Sequence, residues 1–297
     1  MVKVFIEPRQ ELITKERIQD MITWRPRRVK LSTEWQSLHE PKGDYPDWSL
    51  VLPFCETLDN AFELMCAVEH MGLRPGRGRC YTFLKDVNEL EKVGEWLDTV
   101  GEYVAIRDCL ALSFALDYDK DDGNPDKPQT DIGKLRSRAK PYGSEPTKDT
   151  YSAAEELSKA CTEFFQKMTC YHSATCVIAM PPSKPAKVYD LPKYIAAAMA
   201  KEIGSPDLSE AVKTIKERRQ LKNEPLESKL AAVEGTISVD AAALKGQNVL
   251  LVDDLYQSGV STNYVAMLML QAGAKKVFGL ACEKTCRNDD NIPRSKR

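Results

Sequence analysis

Metal-site and cross-linking signatures are largely missing from this sequence. There are only three histidines, His39, His70 and His172, and the nine cysteines form no C-x-x-C pair. That excludes zinc-finger spacing. An odd cysteine count in a chain of 297 residues also argues against a disulfide framework, so reduced and mostly buried thiols are expected. No apolar run approaches the ~18 residues needed to span a bilayer. The opening stretch MVKVFIEPRQELITKERIQD has no apolar signal-peptide core. A cytoplasmic protein with no membrane association is the expectation. Excess charge is missing too: 42 Lys and Arg stand against 44 Asp and Glu, a net charge of −2. No global field favours nucleic acid, although local patches remain open.

What is present has the texture of an α/β protein, 42% hydrophobic and 29% charged. Residues 1–47 mix a charged start with the basic run Trp24-Arg25-Pro26-Arg27-Arg28-Val29-Lys30. Its cationic and aromatic side chains could touch phosphate, as in a DNA-associated protein, but a solvated surface segment is more common and is the expectation here. From Trp48 the pattern alternates. SLVLPF reads as a buried strand, TLDNAFELMCAVEHMG as an amphipathic helix and CYTFLKD as a strand. DVNELEKVGEWLDTVG reads as a helix, and EYVAIRDCLALSFALDYD as one long strand or a hairpin. Alternation of this kind implies an α/β layer. The acidic stretch 117–131 places Asp119, Asp121 and Asp122 before Gly123, but Thr130 stands where a calcium loop needs a bidentate Glu, so a surface loop is expected.

Residues 148–168 form a strong amphipathic helix pattern and lead into the strand ATCVIAMPP. Another helix follows, with Pro192 in its first turn and Gly204 at its end. The expected organisation is therefore a charged segment (1–47), an α/β region serving as a hood or a separate domain (48–130), a ligand-binding domain (131–285) and a polar tail (286–297).

The segment VLLVDDLYQSGVSTNYVAMLMLQAGA (249–274) carries the chemistry. An aliphatic strand ends in Asp253 and Asp254, and Ser258-Gly259-Val260-Ser261-Thr262 turns into a helix. Helix N-termini present unpaired N–H groups and partial positive charge, so they bind phosphate. A phosphate at this turn sets a ribose beside the strand end, where two acids suit its vicinal hydroxyls. The unit reads as a cradle for a 5-phosphoribosyl group. An Asp-Asp turn with a Ser/Thr cap is the plainer alternative, but a cap needs only one such residue.

This stretch resembles the PRPP-binding signature of type I phosphoribosyltransferases: an aliphatic strand, two acids, three residues, then Thr-Gly-x-Thr. Ser258 and Ser261 stand where that family usually has threonine. Upstream, the chain is similar to the ComF-like branch. Ala179-Met180-Pro181-Pro182-Ser183-Lys184 looks like its pyrophosphate loop, Tyr189-Asp190 like its helix opening, and IGKLRSRAKPYG (132–143) like its approach segment. The cysteine-rich zinc module of many ComF-like proteins is missing, and the first 115 or so residues match no motif of the family.

The resemblance implies an α/β fold with a parallel-sheet phosphoribosyltransferase core and an additional N-terminal α/β region. It implies PRPP or another ribose-5-phosphate ligand, with Mg2+ as the cofactor, carried by PRPP and by Asp253 and Asp254. These two acids become the catalytic candidates. Gln257, Ser258, Gly259, Val260, Ser261 and Thr262 would hold the 5-phosphate, and Ser183, Lys184 and Lys187 the pyrophosphate. Arg218, Arg219 and Lys222, within a cationic stretch, are either a mobile lid or a solvated helix face. Transfer of phosphoribosyl to an acceptor is the leading reading. A non-catalytic PRPP or nucleotide sensor, a DNA-associated accessory protein and a homo-oligomer stay open.

Overall fold

The computed structural model describes residues 7–31, 37–44, 46–66, 68, 74–76, 79–84, 86–141, 145–185, 189–217 and 226–286. In chain order the strands are β1 (Arg28–Val29), β2 (Leu38–His39), β3 (Trp48–Leu52), β4 (Arg74–Gly76), β5 (Arg79–Leu84), β6 (Val104–Ile106), β7 (Leu112–Tyr118), β8 (Cys176–Ala179), β9 (Val212–Thr214), β10 (Ile237–Val239), β11 (Asn248–Tyr256) and β12 (Lys276–Lys284). The helices are α1 (Lys15–Met21), α2 (Leu58–Met65), α3 (Leu90–Gly101), α4 (Asp131–Ala139), α5 (Lys148–Lys167), α6 (Leu191–Ile203), α7 (Leu226–Val233), α8 (Ala241–Leu244) and α9 (Val260–Gln271).

β11 and β12 read as unbroken aliphatic runs because a parallel strand is buried on both faces. All nine residues of β12 are buried. The central sheet runs β1-β6-β7-β12-β11-β8. Its four strands β7, β12, β11 and β8 are mutually parallel, while β6 and β1 add antiparallel at one edge. At the opposite edge, Pro206–Leu208 runs parallel beside Val177 of β8, through Val177 N–H to Pro206 O at 3.0 Å and Leu208 N–H to Val177 O at 2.9 Å. The fold is therefore mixed α/β around a mostly parallel sheet.

Alternating side chains divide the core in two, as the period-2 pleat requires. Leu250, Val252, Phe278, Leu280, Leu112 and Phe114 face one cluster with residues of α2, α3, α5 and α6. Val249, Leu251 and Val277 face the other with α1, α7 and α9. The helix ends follow their sequence signals. Thr147 and Thr150 form a reciprocal capping box on α5, and Gly204 ends α6 at φ +68°.

Two regions that the sequence left open take a definite form. The strands of the 48–85 region join β2 in an antiparallel sheet, β2-β3-β5-β4, a pairing direction that the strand–helix alternation does not specify. Its Leu50, Leu52 and Leu84 join the same core cluster as Phe114 and Phe278. The 102–119 stretch resolves into a hairpin, β6 and β7, with Val104 opposite Ala115. β7 then pairs parallel with β12, so the central sheet crosses residue 130. The cysteines lie as expected: all but Cys55 are buried, and each is a free thiol. Among the described residues no helix is long and apolar enough to cross a membrane.

One cooperative core across both regions has a measurable consequence. Phe114 of β7 and Phe278 of β12 are both fully buried, in ring contact with the shared Tyr171. Phe114→Ala and Phe278→Ala are each expected to cost about 3–5 kcal/mol. Both should shift one and the same urea transition; a separate early transition in Phe114→Ala alone would show that the N-terminal part unfolds independently.

Candidate functional site

β11 lies between β8 and β12, and its carboxyl end carries the acidic pair. Val252 stands beside Ala179, the last residue of β8, and Asp253 beside Ala281 of β12. Ligands of open α/β sheets bind where such strands end. Successive residues of a strand point to opposite faces, so the two acids enter different surroundings.

Asp254 is only 6% exposed. Its Oδ2 accepts from Arg136 Nε and Nη2, both at 3.1 Å, and from Lys140 Nζ at 2.5 Å. Arg136 reaches past it to donate from Nη1 to Glu283 Oε1 at 2.9 Å. Burial pushes the Asp254 carboxyl up, but the Lys140 and Arg136 charges outweigh it and leave the group below its ordinary value. Asp253 keeps a partly exposed side chain, and its Oδ1 accepts the Asp254 N–H at 2.8 Å. Burial, then the Asp254 charge, push it up to about 8. Burial likewise raises Glu283 to about 7, against the pull of Arg136. Two adjacent carboxylates thus hold opposite protonation preferences near neutral pH.

The position of Arg136 follows from the cap of α4. Thr130 donates to Tyr118 O at 2.6 Å and accepts from Gly133 N–H at 3.0 Å, which ties the helix start to the end of β7. Gly133 permits this approach, because a Cβ there would lie 2.8 Å from Asp119 O. One turn further along α4 places Arg136 on the strand ends.

The turn Gln257–Thr262 leads into α9. Gly259 is the N-cap residue at φ +77°, a region that favours glycine, and a Cβ there would fall 2.1 Å from the Tyr256 hydroxyl. That hydroxyl donates to Asp108 Oδ2 at 2.8 Å. Asn263 fastens the turn from the helix side: Nδ2 donates to Gly259 O at 2.8 Å, and Oδ1 accepts the Cys109 N–H at 2.9 Å. Arg27 fastens it from behind, with Nη1 and Nη2 both 3.0 Å from Ser258 O. Ser258 and Thr262 are each 6% exposed, and Ser261 is half-buried.

The segment after β8 leaves the sheet at the same end. Met180 N–H donates to Val252 O at 2.7 Å, and Pro182 O accepts from Thr214 Oγ1 of β9 at 2.5 Å. Ser183 is half-buried, and the exposed Lys184 pairs with Glu217 at 3.0 Å. Lys187, Arg218, Arg219 and Lys222 lie outside the described residues. The structure therefore brings Asp253, Asp254, residues 257–262 and residues 180–184 to one end of the sheet.

The basic run of residues 24–30 is not the solvated segment its composition suggests. Arg27 is 2% exposed and sits at the edge strand, Arg28 donates to Thr285 O, and Lys30 pairs with Asp117 at 3.2 Å. Val29 and Leu31, both buried, supply the alternation that marks a strand here. Arg136 and Lys140 lie in the approach segment 132–143, although the sequence assigns no role to either. Arg27, Asp108, Asn263 and Glu283 were not legible as site residues, since each has a partner far away in sequence. A polar cavity of about 370 Å³ opens at the end of β7, lined by Lys30, Asp117, Tyr118, Asp121, Asp122, Lys127 and Thr130.

No family model matches this chain, and no curated protein matches it. Solved structures similar at a remote level include the following two. An HPRT alanine mutant, made to study an invariant aspartic acid, is 12% identical over 50% of this chain and 67% of its own, with a TM-score of 0.28. Glutamine phosphoribosylpyrophosphate (PRPP) amidotransferase from B. subtilis, complexed with ADP and GMP, is 13% identical over 79% of this chain and 46% of its own, with a TM-score of 0.34.

The raised acids make stability depend on pH with a definite sign. A carboxyl whose folded value lies above its unfolded one keeps its proton in the native state, so stability falls as pH rises between the two values. For Asp253 that window runs from about 4, its ordinary value, to about 8. Asp254, held low, is ionised in both states there and adds no slope. Asp253→Asn is expected to flatten the decline in unfolding free energy between pH 5 and 8 by up to about 1.4 kcal/mol per pH unit. Urea titrations across that range measure it, and an unchanged slope would refute the assignment.

Proposed function

We propose that this protein binds PRPP at the carboxyl ends of β8 and β11 and transfers its phosphoribosyl group to an acceptor, releasing pyrophosphate. The observation that carries the reading is the unit Asp253–Thr262. It combines two acids at a central strand end, a left-handed glycine and a helix whose N-cap carries no side chain to satisfy its first N–H groups. A phosphate supplies what those N–H groups lack.

In the reaction the bond from the anomeric carbon to the diphosphate oxygen breaks, and its electron pair leaves with pyrophosphate. The acceptor's lone pair forms the new bond at that carbon, through an oxocarbenium-like state, and the proton that the acceptor nitrogen then sheds leaves to the departing pyrophosphate or to water. Asp253, partly exposed at the strand end, is the acid available to the ribose hydroxyls. Asp254 stays ionised under Arg136 and Lys140, and its negative charge lies near developing positive charge on the sugar. Residues 257–262 hold the 5-phosphate. Ser183 and Lys184 flank the diphosphate, and Lys187 follows them in the chain.

The donor set fits a magnesium ion held chiefly by the ligand. Among the described residues no group of three or more His, Cys, Asp or Glu side chains is arranged to hold a metal. Mg2+ commonly takes one or two carboxylates plus substrate phosphates; Asp253, half-buried at the strand end, would provide such a hard oxygen, while Asp254 is engaged by Arg136 and Lys140. When bound, the ion neutralises charge on the leaving diphosphate. Deprotonation of Asp253 would accompany its binding.

One observation favours a second reading, a sensor that binds PRPP without turnover. Asp254 is closed off by two cations and by burial, and Pro181 and Pro182 stand in the diphosphate loop, where neither has an N–H to offer. The DNA-associated reading loses the Arg25–Lys30 patch, since Arg27 and Arg28 are committed to backbone carbonyls. The basic tail 294–297 lies outside the described residues.

Calorimetry with PRPP and Mg2+ is expected to show binding that Asp253→Asn/Asp254→Asn weakens at least tenfold, about 1.4 kcal/mol. Wild-type affinity in the double variant would reject the site. Pyrophosphate release with a panel of bases, ammonia and amines separates the transferase from the sensor.

A further inference from the structure

We infer that Arg27, supplied by the N-terminal segment, is a positioning residue that orients the Ser258–Gly259 peptide for phosphate binding; this rests on the phosphate role proposed for residues 257–262. Both terminal nitrogens of Arg27 lie 3.0 Å from Ser258 O. In a trans peptide the C=O and the following N–H point in opposite directions. A carbonyl drawn inward onto Arg27 therefore turns the Gly259 N–H outward, to the side from which a ligand would approach. Gly259 then opens α9, whose first intrahelical bond runs from Asn263 N–H to Gly259 O at 2.9 Å. The N–H groups of residues 259–262 precede that bond and form one donor set.

Stability alone gives little reason for this arginine. It is 2% exposed, and its Nε is buried with no hydrogen-bond partner among the described residues. A buried charge that is incompletely partnered costs stability compared with an apolar residue of similar size. Asp108 lies near the same guanidinium, but its carboxyl is taken up by Tyr256 Oη at 2.8 Å and by Leu110 N–H at 3.0 Å. The guanidinium charge thus sits directly behind a turn that is built to receive an anion. Arg28, one residue on, provides a matched comparison. It is also an N-terminal arginine on a backbone carbonyl, but that carbonyl belongs to Thr285 beyond β12.

The test measures ribose 5-phosphate and PRPP/Mg2+ affinity by calorimetry on the full chain, together with the urea midpoint of each variant. Arg27→Met is expected to weaken both ligands at least tenfold and by a similar factor, since the shared 5-phosphate is what it affects. Arg27→Lys, which keeps the charge but loses the two-pronged grip, is expected to fall between. Arg28→Met should move the midpoint and leave both affinities within twofold. Wild-type affinity in Arg27→Met, or in Arg27→Lys should the methionine variant fail to fold, would overturn the proposal. Failure of the wild type to bind either ligand would instead remove the phosphate role of the turn, and this inference with it.

Discussion

The fork of Arg136 between Asp254 and Glu283 is the interaction on which the sheet's functional end depends. Three ionisable groups, each at most 8% exposed, meet there. Taking them out of water is costly, and the geometry must recover that cost through several short hydrogen bonds. Arg136 provides three of them, from Nε and Nη2 to Asp254 and from Nη1 to Glu283. The fork joins α4 to β11 and β12 at the level where both strands end. Removing one partner would strand a charge in the interior, which is far worse than never having had the pair. That asymmetry explains how a polar cluster can be fixed as firmly as the aliphatic core beneath it.

The fork also sets the chemistry of its neighbours. A carboxylate held ionised next to a second carboxyl raises the second one's affinity for its proton. Asp254 takes the cations, while burial first and the neighbouring Asp254 charge second raise Asp253, so two residues of one type differ in protonation near neutral pH. Environments that push paired acids apart are a recurrent way of assigning distinct roles to them. At this strand end the division arises from strand geometry, because the pleat sends one acid toward α4 and leaves the other at the rim.

Legibility in the sequence followed the range of the interaction. The strand–turn–helix from Asn248 to Gln271 was readable because its signals are local: a buried aliphatic run, a glycine at the turn, a helix to follow. α5 and α6 were readable for the same reason, through caps and periodicity. The antiparallel sheet β2-β3-β5-β4 was not, since a strand–helix–strand pattern leaves the direction of pairing open until tertiary contacts choose it. The basic run failed differently. Its charges predicted solvent, while the alternation of Val29 and Leu31 within it pointed to a strand, and the alternation prevailed. Arg27 and Ser258 lie 231 residues apart, and no local rule links them.

The N-terminal region is bound into the site by the same sheet that carries it. β7 brings Thr130 and α4 to the strand ends, and β6 pairs with β7, so β1 can add only at the outer edge. The loop between β6 and β7 holds Asp108 and Cys109, which grip Tyr256 and Asn263 on either side of Gly259. Arg27 enters just before β1, and the chain after it pairs through Arg107 N–H to Arg27 O at 2.9 Å. The turn at residues 257–262 is thus held by two sequence-distant segments at once, Arg27 and the loop of Asp108 and Cys109. A turn that must present its N–H groups outward cannot also use them to hold itself in place. Its carbonyls and flanking side chains have to be secured by other parts of the fold, and here Arg27, Asp108 and Cys109 secure them, all well before the turn in sequence.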